Sequence, residues 1–188
     1  ALSGAVDFTT QTAGGNTGHV TLDNASATAL AASTVTGNLT VTSGGAMTQT
    51  GALTVAGNGS FTTDVDDMAI TLSNTSNAIS GDAIFTTQGT AGHVTFDNNA
   101  ATSLGASTVA GNLGVTSGGA LTQSGALTVS GTSGFTVDLD DTAITLSNTS
   151  NAMTGAMSFT TQTAGGNTGH VTVDNNMASV VGASTVTG

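Results

Sequence analysis

Apolar residues along the chain recur as short triplets in which one polar residue separates two apolar ones. The first copies of this pattern are Val20–Leu22, Leu39–Val41, Leu53–Val55, Ile70–Leu72 and, after the apolar pair Ile84–Phe85, Val94–Phe96. Alternation with a period of two sends Leu39 and Val41 to one face of a strand and Thr40 to the other. The pattern therefore predicts many short β-strands, each buried on one face.

Small polar residues separate these strands and predict sharp corners. Ser43–Gly45, Ala56–Gly59 and Asn74–Asn77 are rich in residues that can adopt positive φ angles. Asp23–Asn24 and its later equivalent Asp97–Asn98 fit turn chemistry, with asparagine ladders as an extension of it. No proline interrupts the chain, so every strand can donate a full set of ladder hydrogen bonds.

A long repeat organises the whole chain. The run Gly37–Ala46 returns with one substitution at Gly111–Ala120, and Ala69–Ala78 returns unchanged at Ala143–Ala152, with the same displacement in both cases. The segment from Gln88 to His93 is three residues shorter than its first counterpart, which predicts an external loop there. We expect one continuous domain over residues 1–188, with repeats at approximately 4–80 and 81–154 and an incomplete third at 155–188.

The repeat predicts an all-β fold, a single-stranded β-solenoid. Five apolar triplets fill one repeat at an average spacing of about 15, and one triplet for each turn gives about five rungs per 74–77-residue repeat. At ~4.8 Å per rung, each repeat should rise ~24 Å and the chain ~55–60 Å. A right-handed parallel β-helix is favoured, because the six-residue repeat of left-handed coils is missing.

The composition and charge of the chain limit the kinds of function expected of it. The chain has no Lys, Arg, Cys, Trp or Tyr, and its net charge is -11. Without cations it cannot neutralise nucleic-acid phosphates, and anionic membranes repel it. No stretch reaches the ~20 apolar residues of a transmembrane helix, and no signal-peptide pattern is present. A chain without trypsin sites suits an extracellular location.

The run Gly37–Val55 resembles the repeats of large bacterial surface adhesins of the filamentous-haemagglutinin and autotransporter type. This resemblance extends over the whole chain. It implies a right-handed β-helical shaft, secretion to the cell surface and a role in adhesion, biofilm or filament formation. The missing cations and the very regular repeats depart from those shafts, which leaves a self-assembling filament open, with the chain itself as partner and cell-surface glycans as a second partner.

The three histidines, His19, His93 and His170, occupy one repeat position. Equivalent positions in a solenoid are separated along its axis, so we expect strand-start or corner residues and no shared metal. Catalysis is not expected either, because each Asp belongs to a repeating set and anionic sugars would need Lys or Arg. We expect no enzyme activity and no cofactor other than a calcium ion.

The calcium hypothesis rests on two acidic clusters at matching positions, which hold Asp64, Asp66 and Asp67 and then Asp138, Asp140 and Asp141. Closely spaced carboxylates on a turn are ligands that Ca²⁺ favours. The glycine-rich nonapeptide motif of calcium-binding β-rolls is missing, so a solvated acidic corner is the competing reading.

An alternative function is a glycan- or ice-binding solenoid module. Thr34–Thr36, Thr40–Thr42 and Thr185–Thr187 resemble the flat threonine arrays of ice-binding solenoids. We expect the unequal rung lengths to interrupt such arrays.

Overall fold

The computed structural model describes residues 1–12, 17–165 and 168–188, in which it contains 23 β-strands and no helix. In chain order the strands are β1 (Ala5–Val6), β2 (Val20–Asn24), β3 (Thr28–Leu30), β4 (Ser33–Val35), β5 (Leu39–Ser43), β6 (Met47–Gln49), β7 (Leu53–Val55), β8 (Gly59–Asp66), β9 (Ile70–Leu72), β10 (Ala78–Ile79), β11 (Asp82–Gln88), β12 (Val94–Asn98), β13 (Thr102–Leu104), β14 (Ser107–Val109), β15 (Leu113–Ser117), β16 (Leu121–Gln123), β17 (Leu127–Val129), β18 (Ser133–Asp140), β19 (Ile144–Leu146), β20 (Ala152–Met153), β21 (Ala156–Gln162), β22 (Val171–Val173) and β23 (Val180–Val181).

These strands form a parallel β-solenoid, as the sequence predicts. A first sheet stacks nine strands in the order β1-β3-β6-β9-β12-β15-β18-β21-β23. A second sheet holds β4, β7 and β10, and a third stacks β2-β5-β8-β11-β13-β16-β19-β22 with β14, β17 and β20 alongside. Within each stack, strands pair with those one turn before and one turn after them, so the backbone ladder runs along the solenoid axis. The right-handed sense stays a prediction.

The number of turns per repeat differs from the prediction. Val20, Leu39, Gly59 and Ala83 are successive register partners, so each of the first turns takes roughly 20 residues. The prediction of about five rungs per repeat is wrong, because one turn uses two or three triplets on different sides. With nine strands in the first sheet, the stack measures ~38 Å at ~4.8 Å per strand, shorter than predicted.

Each repeat contains about three and a half turns. Three turns carry Val20 to Ala83, and Val94, the equivalent of Val20, follows about half a turn later. Equivalent strands of successive copies therefore exchange sheets. The long strands β5, β8 and β11 lie in the third sheet, whereas their equivalents β15, β18 and β21 lie in the first.

The copies join where two short strands stack on one long strand. Along β11, Asp82 and Ala83 pair with β13, and Thr86 pairs with β14. The turns through β20 keep two short strands on this side, β13 and β14, then β16 and β17, then β19 and β20, with one long strand opposite. Successive copies are thus related by half a turn about the axis plus a rise of ~17 Å for three and a half turns.

At the corners, small residues let successive coils of the solenoid approach each other closely. A Cβ on Gly44 would lie 2.6 Å from the carbonyl of Ala25, and one on Gly118 would lie 2.6 Å from that of Asn99. The prediction that these corners need positive φ is wrong. Among the described residues, positive φ occurs at Gly89 and Gly165 and, outside glycine, at Asp67 and Asp141. Glycine is required at the stacked corners for space instead.

The interior is a narrow column of aliphatic and phenylalanine side chains. Val41, Phe61 and Phe85 are register partners in three successive turns, and all three are buried. The rings of Phe61 and Phe85 stack with centroids 5.9 Å apart, and Phe135 and Phe159 repeat this arrangement at 5.9 Å. Stacking in register fills the interior without a thick core.

Buried asparagines join the turns at the corners. Asn77 accepts hydrogen bonds through Oδ1 from the backbone N–H of Leu53 and the side chain of Gln49, both at 2.9 Å. Its amide nitrogen donates to the same Gln49 at 3.0 Å and to the carbonyl of Asp97 at 3.0 Å. Asn151 and Gln123 repeat the pair in the next copy. The side-chain amides thus replace ladder bonds where the backbone turns away.

Candidate functional sites

Each histidine lies directly before a strand, β2, β12 or β22, at the strand-start or corner position that the sequence predicts. Nδ1 of His19 accepts a hydrogen bond from the backbone N–H of Asn38, and Nδ1 of His93 accepts one from Asn112, both at 2.9 Å. The chain of bonds continues, because Oδ1 of Asn38 accepts the backbone N–H of Asn58 at 3.0 Å. His19 and His93 therefore serve as acceptors that hold the next turn in place.

Two acidic extensions protrude from the rod, which we call flap 1 (residues 63–67) and flap 2 (residues 137–141). Each arises where a long strand, β8 or β18, runs past the end of the strand below it and shifts register against the strand above it, β11 or β21. Both flaps end in an Asp with positive φ, 61° at Asp67 and 57° at Asp141. Since β8 lies in the third sheet and β18 in the first, the flaps point to opposite sides.

The Asp67 carboxylate closes the loop that follows β11. Its Oδ1 accepts the backbone N–H groups of Thr90 at 2.6 Å and Ala91 at 2.8 Å. These two bonds, chiefly the one from Thr90, lower the pKa of Asp67 below the usual value. Thr90 and Ala91 belong to the segment between Gln88 and His93 that the sequence predicts as a loop. The longer counterpart after Gln11 includes residues 13–16, which lie outside the described residues.

The flaps do not gather carboxylates around one point. In the described ranges, no three His, Cys, Asp or Glu side chains come together as a metal site. Asp64 and Asp66 are exposed, Asp138 accepts a 3.3 Å bond from Gln162, and Asp141 accepts a 3.0 Å bond from Thr163. Calcium binding stays a prediction, which a calcium titration would test. The predicted ligands are Asp64, Asp66 and Asp67 in flap 1 and Asp138, Asp140 and Asp141 in flap 2.

Threonines form ladders on the outer surface of both main sheets. On the third sheet, one outward column runs Asp23–Thr42–Thr62–Thr86–Thr108–Thr128 through consecutive turns. On the first sheet the equivalent column runs Asp97–Thr116–Thr136–Thr160–Thr185. The expectation that unequal turn lengths would interrupt such arrays is wrong, because corners and loops absorb the extra residues.

Asp97 begins the threonine column on the first sheet, and its surroundings disfavour the charged form of its carboxyl group. Partial burial raises its pKa above the usual value, and the nearby Asp138 carboxylate raises it further. Flap 2 is thereby coupled electrostatically to Asp97 through the Asp138 carboxylate.

A shallow groove of about 460 Å³ lies on the first sheet, where two glycines are stacked. Its floor is one outward column of register partners: Thr95, Gly114, Gly134 and Ser158. The equivalent column of the preceding copy holds Thr21, Thr40, Ser60 and Ile84. The groove opens because Gly114 and Gly134 lack the side chains of Thr40 and Ser60, and His93, Asn112 and Thr132 form its polar rim.

Both copies match one family model, described as repeats of unknown function (DUF5649), over residues 17–86 and 91–160. The chain belongs to this family. The two DUF5649 units begin at residues 17 and 91, with the same displacement as the sequence repeat. Each contains one histidine, two complete long strands and the start of a third. No curated protein and no solved structure matched the chain. In the described part of the DUF5649 chain, no helix is both long and apolar enough for a membrane span.

Two features of the DUF5649 chain were not predicted from the sequence. The groove has a visible signal, because Gly114 is the single substitution between Gly37–Ala46 and Gly111–Ala120. The Asn77–Gln49 pair has a weaker signal in the sequence, since the same spacing recurs between Gln123 and Asn151. Without knowledge of the turn length, that spacing cannot be recognised as a contact between adjacent turns.

Proposed function

We propose that the chain is a segment of the shaft of a bacterial cell-surface fibre, an adhesin-like rod that extends outside the cell. The observation that carries this proposal is the first sheet, which passes through nine parallel strands from β1 to β23. Each turn rests on the one before it, so adding copies lengthens the rod without changing its cross-section. A net charge of -11 spread over both sides supports solubility of an exposed rod.

Self-assembly is part of this proposal. The two copies already stack on each other within the chain, through the pairs of β11 with β13 and β14. Stacking between separate chains would use the same parallel ladder. Sedimentation at rising protein concentration tests this step: growth of elongated species supports it, and a strictly monomeric rod at high concentration contradicts it.

The location is tested on intact cells that produce the protein. An antibody raised against the purified chain should label non-permeabilised cells, and electron micrographs should show thin rods. Labelling that appears only after permeabilisation, or compact particles in place of rods, contradicts a surface shaft. A cytoplasmic protein labelled in parallel controls for cell integrity.

A second candidate function, ice binding, is favoured by the threonine ladders. Threonines at one column position in five successive turns, from Thr42 to Thr128, repeat at the ~4.8 Å spacing of stacked strands. We expect Thr62→Tyr together with Thr86→Tyr to abolish any inhibition of ice recrystallisation, because two rings would disrupt the column. Ser130→Tyr, at an exposed corner, is the matched control. An inactive unmodified chain removes this candidate.

For glycan binding, the other alternative, we propose a separate location, the groove over Gly114 and Gly134. Its rim offers hydroxyl, amide and imidazole groups, which suit the hydroxyls of a sugar. Refilling the groove with Gly114→Thr and Gly134→Ser restores the residues of the first copy and should abolish binding on a glycan array. Binding that survives both substitutions, or a blank array for the unmodified chain, contradicts this location.

A further inference from the structure

The flaps expose the edge of a strand in the middle of the rod. The pairing of β8 with β5 ends at Thr63 and Ser43, and the pairing of β18 with β15 ends at Val137 and Ser117. Beyond these points no strand of the described chain runs along that side of residues 64–66 or 138–140. An exposed strand edge of three residues is a template for an added strand.

Each edge also exposes an apolar side chain. Val65 is 44% exposed and Leu139 is 54% exposed. Along β8, Val65 follows the buried residues Phe61 and Thr63 at a spacing of two, and along β18 Leu139 follows Phe135 and Val137 in the same way. Val65 and Leu139 are exposed because they lie beyond the corner where the core ends. The other exposed large apolar residues of the described chain are near its two ends: Leu2, Met177, Val180, Val181 and Val186.

Charge decides what such an edge can accept. Six of the eleven acidic residues lie in the two flaps, and the chain has no Lys or Arg. A second copy of this flap would bring carboxylates together, so pairing of flap with flap is disfavoured. Val65 lies between Asp64 and Asp66 and all three side chains are exposed, so a complementary segment places an apolar residue between basic ones.

We propose that each flap is a docking edge for an extended cationic segment of another protein, which adds as a strand with an apolar residue against Val65 or Leu139. The backbone edge supplies the hydrogen bonds, the apolar residue supplies the anchor, and the aspartates select basic neighbours. Because flap 1 and flap 2 lie on opposite sheets, one chain presents two such sites on opposite sides of the rod. The rod then acts as a two-sided scaffold, a role that does not depend on its being a cell-surface shaft.

The test uses a fluorescent eight-residue peptide of alternating Lys and Val, titrated into the full chain at low salt. We expect two binding sites per chain. Val65→Ser should weaken one site about tenfold by removing its apolar contact, Leu139→Ser the other, and the double variant both. These side chains are exposed, so the variants should fold, which circular dichroism checks.

Two controls separate docking from general attraction to an acidic protein. Asp64→Asn with Asp66→Asn removes two charges from flap 1, whereas Asp23→Asn with Asp174→Asn removes two elsewhere. Only the first pair should weaken a site, and a peptide of alternating Lys and Ser should bind more weakly than the Lys and Val peptide. Equal losses in both pairs, or a double variant Val65→Ser/Leu139→Ser that binds like the unmodified chain, would overturn the proposal.

Discussion

At the scale of single residues, nearly all of the buried polar side chains of the described chain have hydrogen-bond partners. Ser107, for example, is buried at the start of β14, where its hydroxyl accepts the backbone N–H of Phe85 at 3.0 Å and donates to the carbonyl of Gly105 at 2.9 Å. Ser133 differs, because its hydroxyl is buried with no hydrogen-bond partner among the described residues. Its equivalent in the first copy is Gly59, which has no such group to satisfy.

Ser133→Ala should therefore stabilise the chain. Removing an unsatisfied buried hydroxyl removes its desolvation cost, for an expected gain of about 1 kcal/mol in the free energy of unfolding. Urea unfolding measures the change. Ser107→Ala is the matched control and should destabilise, because it leaves the N–H of Phe85 unpaired. A loss of stability in Ser133→Ala comparable to that in Ser107→Ala contradicts this account.

The two perturbed aspartates should affect stability in opposite directions with pH. The pKa of Asp97 is raised in the folded chain, so its contribution to stability is present in acid and lost as pH rises through that pKa. Asp97→Asn should thus be more stable than the unmodified chain at neutral pH and no more stable in acid. Thermal unfolding across the acid to neutral range measures this difference.

Asp67 provides the opposite case. Its pKa is lowered, so its contribution is present above the usual value for Asp and lost as pH falls through the lower folded value. Asp67→Asn keeps a residue that tolerates the positive φ of 61° but loses the charge. It should be less stable at neutral pH only, and a deficit that persists unchanged in strong acid would contradict the assignment.

At the scale of the strand and corner, alternation in the sequence predicts the strands well. Leu39–Val41 and Ile70–Leu72 lie in β5 and β9 with their apolar residues buried, because a period of two leaves only one way to place them. Which strands share a turn is not predictable in this way. It depends on the corner hydrogen bonds of residues such as Asn77 and Gln49, which are far apart in the sequence.

Asn77→Ala should therefore weaken the fold through its neighbours. It leaves the backbone N–H of Leu53 and the side chain of Gln49 without their shared acceptor, at an expected cost of about 3 kcal/mol. Asn99→Ala, at an exposed position of a neighbouring corner, should change the free energy of unfolding by less than about 0.5 kcal/mol. Equal effects of the two substitutions would show that the corner amide does not hold the turns together.

At the scale of the whole molecule, the sequence predicts a solenoid but does not predict correctly how many turns one repeat makes. Five triplets per repeat suggest five turns, whereas the register gives about three and a half, because one three-sided turn uses more than one triplet. The remaining half turn has a functional consequence. The flaps, the histidine corners and the threonine ladders of successive copies face opposite sides, so each surface feature returns to the same side after two copies.

The most direct test of this architecture is the length of the rod when one copy is added. A second copy of residues 17–90 inserted after residue 90 adds one complete repeat. Small-angle X-ray scattering of the two chains should show the same cross-section and a maximum dimension longer by ~17 Å, the rise of three and a half turns. An increase near ~24 Å would indicate five turns per repeat, and an unchanged length with a thicker particle would contradict a solenoid.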